Sequence, residues 1–163
     1  MLAARAENPS NSQYGFYRNG AKVAEFRYSA QKASEFLVGQ DRYSCQEDRV
    51  ELSGTAEGEK FSLLKDAREI FKTEHPAQNP LRHKFGSQWH SYEITVNPKV
   101  SYEVRPVAMD GRSIGYVQGA LDFEIHLGVE VPLLVELFIF YIVLTSVTKG
   151  GMAKRGHSVP WIT

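Results

Sequence analysis

Residues Pro132 to Val147 read PLLVELFIFYIVLTSV, an apolar run with Glu136 as its single charge. A helix that is apolar on every side must be surrounded by something apolar, either the core of a protein or a bilayer. Its boundary signals are those of a helix. Pro132 suits the first helical position, where a missing N–H costs nothing. Glu130 suits the positive end of the helix dipole, and Lys149 suits the negative end. Gly150 reads as a C-cap. Val135, Ile139, Ile142 and Val143 would also suit a strand, but sixteen residues exceed the usual strand length. At about 1.5 Å per residue the run spans roughly 24 Å, against a hydrocarbon core of about 30 Å. A lipid-facing Glu136 would add a further cost of a few kcal/mol. The leading reading is a core helix spanning 132–148, and the alternative is a membrane anchor at 132–147.

Upstream, the period changes from that of a helix to that of strands. In KVAEFRYS, Ala24, Phe26 and Tyr28 fall on one face and Glu25 and Arg27 on the other, as in a strand with one wet side. Asn19-Gly20 just before it is a strong hairpin signal, because both residues tolerate positive φ. The unit recurs. Lys65-Asp66-Ala67 separates Phe61–Leu64 from Glu69–Thr73, and Asp110-Gly111 separates Tyr102–Val107 from Ser113–Val117. Each second strand carries an apolar residue a few positions after its turn: Val23, Ile70 and Ile114. SEFLVG, DRYSC, LRHKFG and SYEITV add further strands, and in ALDFEIHL the residues Leu121, Phe123, Ile125 and Leu127 alternate with Asp122, Glu124 and His126. GTAEGEK at 54–60 and HPAQNP at 75–80 read as loops. Roughly ten to twelve short strands argue for a sandwich or barrel. A closed sheet also gives the apolar helix somewhere to go.

The 163 residues suffice for one domain with a substantial core. Residues 1–12 read as a flexible leader, 13–149 as the barrel with its central helix, and 150–163 as a flexible tail. Nineteen Lys and Arg balance nineteen Asp and Glu, which argues against the basic field that nucleic-acid binding needs. Cys45 is the single cysteine, so an internal disulfide and a cysteine-based zinc site are excluded. A reducing, cytoplasmic location is expected, with membrane association left open.

No residue set amounts to a catalytic signature. His75, His83, His90 and Glu93 have irregular spacing and no H-E-x-x-H pattern, so they read as ordinary histidines beside a surface acid. Asp122, Glu124 and His126 share the polar face of one strand and read as its solvated side. KGG at 149–151 is no P-loop, DGRSIG at 110–115 is a hairpin, and no G-x-S-x-G elbow exists. The chain is therefore expected to be no enzyme, with no catalytic, cofactor-binding or metal-binding residues and no cofactor. Glu136 is the exception worth following. Buried alone it would have a raised pKa. It is expected near the barrel mouth, paired with Lys, Arg or backbone donors, in a structural or ligand-gating role.

The hairpins YRNGAKVAEF, FSLLKDAREIF and YEVRPVAMDGRSIGYV, followed by DFEIHLGVEVPLLVELFIFYIVL, resemble the tubby-like superfamily in its bacterial-type form. That group includes the tubby C-terminal domain, phospholipid scramblases and plant LURP-one-related proteins. The resemblance covers about Tyr14 to Thr148. It implies a mainly β fold: a closed antiparallel barrel of about twelve strands wrapped around one hydrophobic C-terminal helix. It also implies a non-enzymatic binding module, with a phospholipid membrane surface or another protein as partner. Tubby domains bind phosphoinositides through basic surface residues, and scramblases bind calcium near the terminal helix. No tubby basic cluster matches here position by position. DFEIHLGVEV offers Asp122, Glu124 and Glu130 but lacks a calcium loop's spacing, so no family site residue transfers.

Overall fold

The computed structural model describes residues 1–8, 12–29, 33–51, 57–74, 82–97 and 104–155. His75, the 75–80 loop, Tyr102, residues 54–56 and residues 156–163 of the expected tail lie outside them, and residues 57–60, expected as the rest of the 54–60 loop, instead begin a strand. The strands are β1 Leu2–Ala6, β2 Gln13–Arg18, β3 Ala21–Arg27, β4 Ser34–Val38, β5 Asp41–Glu51, β6 Glu57–Lys65, β7 Arg68–Lys72, β8 Arg82–Gly86, β9 Ser91–Thr95, β10 Val104–Met109, β11 Arg112–Gly119 and β12 Phe123–Leu127, followed by helix α1, Leu133–Arg155.

All twelve strands form one antiparallel sheet in the order β7-β6-β5-β4-β3-β2-β1-β12-β11-β10-β9-β8. Among the described residues its ends meet through the bridge of Thr73 to Phe85 and through the Glu74 N–H donating to the Lys84 carbonyl at 2.7 Å. The sheet is thus a nearly closed barrel with α1 inside it. Every side of the helix is covered. Val135, Leu137, Phe138, Ile139, Phe140, Ile142 and Val143 have no exposed surface. Phe140 packs edge-on to Phe16 at 4.8 Å and Tyr14 at 5.1 Å on β2, and lies 5.6 Å from Phe123 on β12. Phe138 points the other way, to Phe85 at 4.8 Å and Phe71 at 5.7 Å across the β7–β8 seam. Tyr141 reaches Phe61 on β6 at 5.7 Å. These rings lie in several directions around the helix, which is why its sequence shows no polar stripe. The segment weighed as a membrane anchor therefore lies within the barrel. Among the described residues, no helix is long and apolar enough to cross a membrane.

The three turn units read from the sequence are hairpins of one design. Asn19 and Gly20, Asp66 and Ala67, and Asp110 and Gly111 all have positive φ, the twist that matches two-residue hairpins to their strands. In each hairpin the register slips once. Val23 is left over between Ala24 and Lys22, Ile70 between Phe71 and Glu69, and Ile114 between Gly115 and Ser113. Such bulges bend a strand and re-aim a side chain. Here all three extra residues pack against the core. The hairpins β2–β3, β6–β7 and β10–β11 recur every fourth strand, so the bending is spread around the wall.

Three further expectations are corrected. Residues 2–6 are not a leader: β1 pairs with both β2 and β12, and Leu2 and Ala4 are wholly buried. The run LAARA alternates inward and outward, but alanine carries little strand signal. Leu121 does not share the inward face of Phe123 and Ile125. It precedes β12 and is 64% exposed. The helix does not stop at 148 with a Gly150 cap: its backbone continues through Gly150 and Gly151 to Arg155. Glycine permits a helix end without compelling one.

Candidate functional site

The alternation of up and down strands sorts the connections between two ends. The short turns at 19–20, 39–40, 66–67, 87–90 and 110–111 lie at one end, together with residues 128–132, which lead into α1. This end is the barrel mouth. The carbonyl of Pro132 accepts from the N–H of Val135 at 3.0 Å and of Glu136 at 3.4 Å. Pro132 therefore caps the helix from one position earlier than its expected place, and Glu136 falls in the first turn.

Glu136 is 4% exposed. Arg18, the last residue of β2, donates through Nη2 to both of its carboxylate oxygens. The Arg18 side chain is 38% exposed, so the pair reaches from the helix to the solvent at the mouth. Burial raises the Glu136 pKa, and the Arg18 hydrogen bond and charge oppose that rise. The expected partner near the mouth is thus Arg18, which the local sequence could not single out, since the two residues are 118 positions apart. The arrangement fastens the entry of the helix to one hairpin of the wall.

Of the histidine set, His75 lies outside the described residues, and the structure does not bring His83, His90 and Glu93 together as a metal site. His83 faces inward with Phe85, its ring 5.5 Å from Phe61, and burial lowers its pKa to about 4. Glu93 lies on the neighbouring strand within 3.6 Å of Lys84 and 4.0 Å of Arg82. His90 braces the mouth, with Nδ1 2.6 Å from Asp110 Oδ2. Among the described residues no group of three His, Cys, Asp or Glu side chains is placed to hold a metal ion.

On β12, Glu124 and His126 do meet, at 2.9 Å, and Gln118 donates to the same carboxylate at 3.1 Å. The imidazole stacks on Tyr116 at 4.9 Å. The hydrogen bonds from His126 and Gln118 lower the Glu124 pKa. Asp122 stands apart, accepting from the Ala6 N–H at 2.9 Å. Across the wall, Glu7 accepts from Tyr17 Oη at 3.0 Å and Lys22 Nζ at 2.8 Å, and Lys22 also reaches Glu25 at 2.6 Å. The carboxylates on this face already have partners within the wall. Cys45 is buried, and burial drives its thiol pKa upward, the environment of an inert thiol.

Sequence reading missed one charged group in the core. Arg105 on β10 has no exposed surface, donates from Nη1 to the Gly119 carbonyl at 2.8 Å, and lies 5.9 Å from the centre of the Phe123 ring. The signal was parity. Arg105 stands two residues before inward-facing Val107, so strand alternation alone turns it inward.

These features define a nearly closed barrel around its own helix, with an ion pair between helix and wall at its mouth. Comparison with family models, with curated proteins and with solved structures found no match.

Proposed function

We propose that the protein is a non-enzymatic binding module of tubby-like type, working in the cytoplasm or at a membrane surface and recognising its ligand from outside the barrel. One observation supports this most: α1 occupies the barrel interior, and its aromatic side chains pack against the strands that enclose it. Specificity must then reside on the outer wall and the two ends. A phospholipid headgroup is the ligand class the resemblance favours, with another protein as the second candidate. The full chain should be soluble and monodisperse without detergent and should co-sediment saturably with anionic vesicles. Recovery only from detergent-solubilised membranes, or no sedimentation with any vesicle, would count against a soluble lipid-reading module.

A further inference from the structure

We propose that the barrel mouth docks on an anionic lipid surface with Trp89 as its interfacial anchor. This rests on the binding reading above and names the surface that carries it. Trp89 lies in the turn between β8 and β9 and is 79% exposed. Its indole offers a large apolar surface with a polar N–H at its edge, the combination that suits a boundary between apolar and wet surroundings.

The turn that presents it is firmly held. The Ser87 N–H donates to the His90 carbonyl at 2.8 Å, and the His90 N–H donates back to Ser87 Oγ at 3.2 Å. His90 Nδ1 lies 2.6 Å from Asp110 Oδ2, and the Ser91 N–H donates to Asp110 Oδ1 at 2.9 Å. The tip is thereby tied to the next turn along the mouth. The indole projects from a braced support, so little ordering remains to be done on binding.

The surroundings select the occupant. A protein interface needs a contiguous, well-packed apolar centre around an aromatic anchor. Trp89 instead stands among polar neighbours: Ser87, Gln88 and His90 in its own turn. The turns on either side deliver an exposed arginine each, Arg68 after 66–67 and Arg112 after 110–111. Of the exposed acids on this end, Asp110 is engaged by His90 and the Ser91 N–H and Asp41 by Lys65, while Asp66 and Glu130 share the rim with the exposed arginines Arg42, Arg68 and Arg112. An isolated indole between two cations suits the headgroup layer of a bilayer, where tryptophan sits with its ring in the interface and arginine meets phosphate. Val129, 41% exposed in the segment leading to α1, stands on the same end as a second apolar contact.

The test uses the full chain in a Trp161→Phe background, which leaves Trp89 as the only tryptophan, with vesicles of phosphatidylcholine and phosphatidylserine at about 7:3 and of phosphatidylcholine alone. The expected result is a blue shift of Trp89 emission with the anionic vesicles only. Trp89→Ala in the natural background should weaken co-sedimentation at least about fivefold, and Arg68→Gln with Arg112→Gln should flatten its salt dependence. Unchanged thermal melts of these exposed variants would confirm that the fold is intact. Sedimentation with no blue shift and no effect of Trp89→Ala would overturn the mouth as the docking surface and leave the binding reading standing. No sedimentation at all would overturn both the docking surface and the lipid-reading module, whereas capture of a protein partner that masks Trp89 while vesicles leave it untouched would overturn the lipid surface and leave the second candidate, a protein ligand, standing.

Discussion

The ion pair between Arg18 and Glu136 shows how one charge is tolerated inside an aromatic core. Removing a carboxylate from water is expensive, and a paired cation offsets the cost only partly. The raised pKa of Glu136 reflects that balance, with burial the largest cause. Because its folded pKa lies above the ordinary 4.5, the native state holds the proton more tightly than the unfolded chain does. The contribution to stability is full below pH 4.5 and is lost as pH rises through the folded value. Glu136→Gln should therefore flatten the stability profile above that pH and change stability near neutrality by less than about 1 kcal/mol. Arg18→Ala should cost about 2 kcal/mol, less than for a fully buried pair because water screens the 38%-exposed side chain. In the Glu136→Gln background the same substitution should cost little. Denaturant titrations of the four proteins measure the coupling, and equal Arg18→Ala losses in both backgrounds would mean that the pair is not what fastens the helix. The sequence exposed Glu136 as a misfit in an apolar run, but its partner depends on barrel closure, which no local pattern encodes. Arg105 was legible in principle from its parity with Val107. A reading that assumes charge faces water passes over it.

At the scale of elements, turn chemistry was the clearest signal in the chain. Asn19-Gly20 and Asp110-Gly111 place glycine at the second turn position, with φ of 79° and 80°. The third hairpin puts Ala67 there at φ 65°, in a region where a Cβ costs roughly 1–2 kcal/mol. Ala67→Gly should relieve that strain and raise stability by about 0.5–1 kcal/mol, after allowing for the greater freedom of glycine in the unfolded chain. The shift in thermal midpoint measures it. A lower midpoint would mean that the β6–β7 turn does not carry strain at this residue. The bulges were half legible. Val23, Ile70 and Ile114 stood out as apolar residues at a constant distance from their turns, but only the register shows that each is an extra residue packed on the core. β1 was not legible, because its strand character comes from two flanking partners and not from its own alanine-rich sequence.

Over the whole molecule, the apolar run and the strand pattern are one signal. Neither element can hide its greasy surface alone, and each supplies what the other lacks. Val135, Leu137, Phe138, Ile139, Phe140, Tyr141, Ile142, Val143, Leu144 and Val147 are all buried by the wall. At about 1.5–3 kcal/mol per side chain, their gross contribution is on the order of 15–30 kcal/mol, an upper bound given a partly compact unfolded state. That is the same order as the roughly 5–15 kcal/mol net stability of an ordinary domain, before the entropy of ordering these side chains is set against it. The wall depends on the helix in return. Without Phe138 and Phe140, the inward rings of Phe16, Phe26, Phe71, Phe85 and Phe123 would face a void. The β7–β8 seam, held by the Thr73–Phe85 bridge and the Glu74–Lys84 hydrogen bond, would also lose the ring that spans it. Deleting residues 129–163 should therefore abolish the cooperative melt and leave an aggregating chain. Supplying a synthetic peptide of residues 129–155 during refolding should recover part of it. A truncated chain that stays soluble, monomeric and cooperatively folded would show that the barrel stands without its helix, and would make α1 a detachable segment instead of the core.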